Sequence, residues 1–347
     1  MPFRRLTLAL LPLLAAVLFS LTGTQAQARN VPGSASAMGI SIGEVVTGEH
    51  QNFINDFLAS IARSAGVSSD RIKIVSVAPG FLADDGDPAA MGVEGVFTNG
   101  DLSFAANIGY RNIDTDTLDY DLMTGAALVG GAVGSDTLLF GGLLLEHGKG
   151  DTLANDGTMD HDGIGLTLGL SRSVGEATSL SATFGHIWAS YDFTRSGGAI
   201  SGSFDATRSF LDLSAAHRIV SGKATTDLNG GLRYVTQTND AYTELGGAAV
   251  DKTTGESFAV VFGARTTFDL ENGMNTFVEM DLSQNISASD NLPVGLHEAY
   301  SSDTRGRLGV GFATGKNGFN FETGVGSNFD EDGYSGIDAH LSLNLQF

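Results

Sequence analysis

The chain has 347 residues, 19 Lys+Arg against 40 Asp+Glu, a net charge of −21 and no cysteine. The missing cysteines exclude a disulfide scaffold and Cys-ligated zinc or iron–sulfur centres. The acidic balance excludes nucleic acid as a partner, because phosphate binding needs clustered Lys and Arg. The 47 glycines follow no G-X-Y period, so the chain is not collagen-like.

Residues 1–28 read as a secretory signal. Arg4 and Arg5 supply the positive end, Leu6 to Leu21 the apolar stretch, and Ala26-Gln27-Ala28 the small-residue cleavage site, with Ala26 and Ala28 at its −3 and −1 positions. The mature protein is then expected to work outside the cytoplasm.

Residues 29–95 read as a small α+β segment. Residues 29–38 are small and polar, a flexible start. Gly39–Val46 and Arg71–Val77 read as strands. Between them Phe53, Ile54, Phe57, Leu58, Ile61, Ala62 and Ala65 recur at three- and four-residue steps, which predicts a helix over 50–65. A unit this small cannot bury enough surface alone, so it is expected to lean on a larger domain as a passenger-like or plug segment.

From 96 to 347 the period changes from 3.6 to two. In 101–111, Leu102, Phe104, Ala106, Ile108 and Tyr110 alternate with Asp101, Ser103, Asn107 and Arg111. Segments 224–236, 257–270, 305–313 and 337–347 repeat the pattern, separated by clusters of Gly, Asp, Asn and Ser. The charges keep to the polar face. That segregation suits an antiparallel transmembrane β-barrel, because a charge facing lipid at mid-depth costs about 2–4 kcal/mol. The fold class expected is therefore all-β, a barrel of twelve strands, with ten or fourteen compatible with the weak alternation at 118–147. Tyr110, Tyr120, Trp188, Tyr191, Tyr234 and Phe347 lie near strand ends, where interfacial aromatic girdles belong.

The polar face carries Asp212, Arg218, Asp227, Arg233, Arg265, Asp269, Glu279, Asp281, Arg305, Arg307, Glu322 and Asp338. These are the candidate lumen residues, either structural ion pairs or the lining of a pore that holds a plug or passes a chain or solute. The Asp-rich stretches 84–87, 156–163 and 330–333 read as solvated hairpin loops. None matches a calcium-binding loop, so no metal or other cofactor is expected. No H-E-x-x-H or G-x-S-x-G is present and the seven histidines are scattered, so the protein is not expected to be an enzyme.

The stretches Phe204–His217, Leu228–Tyr234, Asp240–Gly246, Gly263–Arg265, Thr276–Met280 and Leu341–Phe347 resemble the C-terminal translocator domain of autotransporters. The resemblance covers the part after residue 95. It implies residence in the outer membrane of a Gram-negative-type bacterium, among lipid and lipopolysaccharide, as a monomer. It also implies transient partners, the barrel assembly machinery and periplasmic chaperones, with Leu341, Leu343, Leu345 and Phe347 as the assembly signal. The family carries an N-terminal passenger through its pore and leaves a helix in the lumen. Here residues 29–95 would be displayed or retained. No β-solenoid repeat precedes the barrel, and no Asn-Asn pair offers a self-cleavage site. The alternatives are a small porin-like diffusion channel or structural outer-membrane protein, and a surface adhesin.

Overall fold

The computed structural model describes residues 34–64, 69–78, 90–99, 102–115, 118–270, 273–290, 304–316, 319–330 and 333–346. The signal segment with Ala26 and Ala28, and the terminal Phe347, lie outside them.

One helix, α1 (Ser34–Ser64), precedes the strands. These are β1 (Ser69–Ala78), β2 (Ala90–Asn99), β3 (Leu102–Thr115), β4 (Leu118–Val133), β5 (Thr137–Thr152), β6 (Gly157–Ser173), β7 (Thr178–Arg195), β8 (Ile200–Ser221) and β9 (Ala224–Asn239). A small hairpin of β10 (Tyr242–Thr243) and β11 (Ala249–Val250) follows, then β12 (Thr253–Asp269), β13 (Met274–Asp290), β14 (Thr304–Lys316), β15 (Phe319–Asp330) and β16 (Gly333–Gln346).

All strands but β10 and β11 pair antiparallel with their chain neighbours, and β1 pairs with both β2 and β16, so the order returns on itself as a barrel. Closure lets backbone donors and acceptors pair between strands, as hydrocarbon requires, with register shifts at Phe258/Ala259 and Asn328/Phe329. The sheet holds fourteen strands where twelve were expected. The two extra are β1 and β2, which the sequence had assigned to the N-terminal segment. β2 reads weakly because Gly92 and Gly95 interrupt its alternation, but Val93 and Phe97 point outward and Glu94 and Val96 inward.

The alternation becomes two different surfaces. Ile108, Leu143, Leu166, Leu168, Val278, Val310 and Val325 stand exposed on the outside, part of an apolar belt around the barrel. Trp188 and Tyr234 lie outward near its upper edge, whereas Tyr120 and Tyr191, expected in the girdle, turn inward and are fully buried. The Asp-rich stretch 156–163 is largely β6, with Asp160 and Asp162 facing Lys149 and His147 at 3.6 and 2.7 Å, and is not a loop.

The two ends of the barrel differ. Connections 100–101, 134–136, 174–177, 222–223, 270–273 and 317–318 are short, and Gly222 turns in a left-handed conformation, φ 61°. At the opposite end three connections, 79–89, 240–252 and 291–303, are long, while 116–117, 153–156, 196–199 and 331–332 are short. Ser69 pairs with Gln346, which puts the start of β1 and the end of β16 at the short-turn end.

α1 fills the lumen. Its 31 residues span about 46 Å at 1.5 Å per residue. It is not apolar enough to cross a bilayer by itself. Residues 39–46, expected as a strand, belong to this helix, as do residues 34–38 of the expected flexible start. Gly and Ser are weak helix formers, and enclosure by the wall outweighs that weakness.

Candidate functional site

The helix meets the wall in three zones. Near the long-loop end Ala35, Met38, Ile42 and Val46 pack among Tyr120, Leu122, Met159, Tyr191, Phe193, Phe204, Tyr242 and Val250. Near the short-turn end Phe53, Ile54, Phe57 and Leu58 pack among Val96, Leu128, Phe140, Leu144, Ile187, Phe210 and Val235. Between these apolar zones Thr47-Gly-Glu-His-Gln51 forms a polar waist.

The waist faces charge. Glu49 pairs with Arg111 of β3. His50 Nε2 lies 3.6 Å from Glu146 of β5. Arg208 of β8 pairs with the same Glu146 and donates to the Gly43 carbonyl at 2.6 Å. His161 of β6 sits 3.9 Å from Glu146 and shares a 2.6 Å hydrogen bond with the Tyr120 hydroxyl. Burying Glu146 and Arg208 this deeply is costly unless they are paired and hydrogen-bonded; Glu146 Oε1 and the two Arg208 Nη atoms are bonded, while Glu146 Oε2 and Arg208 Nε are buried without a hydrogen-bond partner. One level up, Gln237 and Asn239 of β9 donate to the carbonyls of Gly39 and Ser36 at 2.9 and 3.0 Å.

A row of rings lines the long-loop half of the lumen. Tyr120 stacks on His161, His161 on Tyr191, Tyr191 on Phe204 and Phe204 on Tyr242, with centroids 4.9–5.9 Å apart. Tyr120 and His161 sit on β4 and β6, separated by β5, and glycine at 148 makes room between them: a Cβ there would lie 2.6 Å from His161 Nδ1. Tyr242 brings the β10–β11 hairpin inward over the mouth, and the hairpin is clasped by Arg195, which donates to Glu244 at 3.1 and 2.5 Å. Burial pushes the Tyr242 phenol up to about 12.

The residues proposed for the lumen from sequence fall into separate groups. Asp212 and Arg233 face each other at 3.6 Å on β8 and β9, beside α1. Arg265, Glu279, Arg307, Asp281 and Glu322 form a second network on β12–β15: Arg265 to Glu322 at 2.7 Å, Arg307 to Glu279 at 2.5 Å and to Asp281 at 4.0 Å, and His340 of β16 to Glu322 at 3.3 Å. Arg218 and Asp227 make an exposed 2.7 Å pair at the short-turn end, and Asp269 is exposed nearby. Arg305 is exposed toward the other end, and Asp338 pairs along the backbone with Val77 and Gly326. Water reaches the second network, where the Asp281 side chain is 60% exposed, but not the polar waist, where that of Glu146 is 1% exposed. Among the described residues no group of His, Asp or Glu is arranged to hold a metal ion.

Sequence reasoning missed the residues that grip the helix: Glu146, Arg208, His161, Gln237, Asn239 and Tyr191. A signal existed for one. Glu146 is the only acid in the long apolar run from Thr137 to Gly148, and an isolated acid there needs a partner.

A closed sheet with an apolar exterior belt and an occupied lumen is an outer-membrane β-barrel. The sequence profile of the autotransporter β-domain matches residues 103–293, and the chain belongs to that family, one of transport barrels. Its fold is similar to the translocator domain of the autotransporter NalP from Neisseria meningitidis (TM-score 0.57, 14% identity, covering 90% of this chain and 99% of that one). It is also similar to CymD, a monoaromatic hydrocarbon channel (TM-score 0.54, 11% identity, 83% and 91% covered). No curated protein matches the sequence. The protein resides in the Gram-negative outer membrane.

Proposed function

We propose that this barrel is a translocator whose own N-terminal leg has passed through the lumen, leaving α1 as a retained plug. The polarity of α1 carries the reading. Its first residue, Ser34, lies against Asn155 at the long-loop end, and its last, Ser64, is followed within five residues by β1 at the short-turn end. Outer-membrane barrels keep short turns in the periplasm and long loops outside. The N-terminal end of α1 therefore faces the cell surface. The passenger-like role given to residues 29–95 narrows, because 34–64 occupy the lumen and 69–78 and 90–95 belong to the wall. A diffusion channel is the competing reading, and the seated helix weighs against it.

Insertion would follow the route of related barrels, with Leu341, Leu343 and Leu345 of β16 presenting the assembly signal to the barrel assembly machinery after delivery by periplasmic chaperones. The acidic outer rim at Asp121, Asp160 and Asp162 would meet lipopolysaccharide through bridging cations.

The test is an epitope tag placed after Gly33, with protease added to intact cells and an unboiled gel to establish folding. Removal of the tag by external protease is expected. A tag that survives until the outer membrane is permeabilised overturns the reading and leaves a periplasmic or channel role.

A further inference from the structure

One side of α1 is held by its backbone. The carbonyls of Ser36, Gly39 and Gly43, spaced by three and four residues, each accept a bond from the wall. Asn239 Nδ2 reaches Ser36 at 3.0 Å, Gln237 Nε2 reaches Gly39 at 2.9 Å with the Tyr191 hydroxyl at 3.3 Å, and Arg208 Nη1 reaches Gly43 at 2.6 Å. A helical carbonyl has two lone pairs, so it can take these bonds and keep its own. All four donors are at least nine-tenths buried and sit on the inner face of β7, β8 and β9.

The contribution of α1 at this contact is the absence of side chains. A Cβ on Gly43 would lie 2.9 Å from Arg208 Nη1 and fall on the Gln237 amide, and one on Gly39 would lie 3.1 Å from the Phe204 ring. Arg208 cannot swing aside without leaving the buried Glu146 with only His50 and His161, at 3.6 and 3.9 Å, beside it.

We propose that the inner face of β7–β9 is a polypeptide-binding site that reads backbone carbonyls, and that α1 is its resident ligand. The inference rests on the translocator reading and names its ligand class: a helical segment with glycine or similarly small residues at four-residue spacing. Carbonyls recur at every residue, so donors aimed at them grip any stretch of chain that comes past. The glycine spacing decides where a moving helix comes to rest.

The experiment uses the full chain in planar bilayers. Two variants are made, Gly43→Leu and the pair Gln237→Ala with Asn239→Ala. Each, shown folded by heat-modifiability, is expected to open about tenfold more often than the unaltered protein, as loss of one or two hydrogen bonds implies. A synthetic peptide of residues 34–64 is expected to close the Gly43→Leu barrel, and the same peptide carrying Gly39→Leu and Gly43→Leu is expected to leave it open. Variants as closed as the parent, or equal closure by both peptides, overturn the proposal. If Gly43→Leu fails to fold, the Gln237→Ala/Asn239→Ala barrel, which only loses atoms, decides the matter by its open frequency. Surface exposure of a tag after Gly33 is read separately, so failure of the translocator reading is distinguishable from failure of this site.

Discussion

Arg265 on β12 reaches past two strands to hold Glu322 on β15 with both arms of its guanidinium, at 3.0 and 2.7 Å. The same group lies 3.7 Å from the centre of the Phe277 ring. A bond that skips β13 and β14 ties the curvature of this wall together. Water reaches the pair, so its worth is moderated by screening. Arg265→Ala is expected to destabilise the barrel by about 1.5 kcal/mol, and a double-mutant cycle with Glu322→Ala should return a coupling of at least about 0.5 kcal/mol. Urea titration in detergent measures both.

Removing one partner of the buried Glu146–Arg208 pair should cost more. Glu146→Leu strands a guanidinium in the lumen and is expected to lose about 3–5 kcal/mol. Replacing both, Glu146→Leu with Arg208→Met, should lose less than either single change. Thermal midpoints of heat-modifiability rank the three, and a double variant worse than both singles would contradict the account.

Gly148→Ala places a methyl between the rings of Tyr120 and His161. Overpacking of this kind costs about 1–3 kcal/mol. Loss of near-ultraviolet dichroism from the tyrosines, with the far-ultraviolet spectrum unchanged, is the expected signature.

Phe57 anchors the lower half of the helix, edge-on to Phe140 with centroids 5.9 Å apart. Phe57→Ala should destabilise by about 3–5 kcal/mol in the plugged state. In bilayers it should produce brief openings, because the lower apolar seal is lost while the waist still holds.

The mouth hairpin should loosen in base. The Tyr242 phenol is raised by burial from 10 to about 12. Above pH 10 the unfolded phenol ionises while the folded one stays neutral, so the folded state binds more protons and stability falls until about pH 12. Tyr242→Phe should flatten that part of the stability profile relative to the parent protein. An unchanged slope between pH 10 and 12 would count against the burial of Tyr242.

The sequence made the wall legible wherever one face met lipid and the other met polar groups, as at 257–270 and 305–313. It failed where both faces are apolar. β4 and β5 lack clean alternation because Leu122, Leu128 and Leu144 face the helix while Met123, Leu143 and Leu145 face lipid. The first half of α1 was illegible for a related reason. Its glycines and serines are poor helix formers, and they are present because the wall approaches closely there. Periodicity identifies a surface by its contrast, and a lumen filled by the chain's own helix removes that contrast. The charged groups at 265–322 were legible as inward residues, but their partners depended on which strands face each other across the barrel.

The molecule carries one tryptophan, and it lies on the opposite side of the wall from the stacked tyrosines. Trp188 stands at the lipid edge, its ring 4.6 Å from that of His186, while Tyr120, Tyr191 and Tyr242 are enclosed beside the helix. Light therefore separates two questions that chemistry would mix. Quenching of the indole by brominated acyl chains reports whether the barrel has entered a bilayer and at what depth. The coupled tyrosine bands report whether the helix is seated. An intermediate with a quenched indole and silent tyrosines would be a barrel in the membrane before its plug has settled, observable without a label.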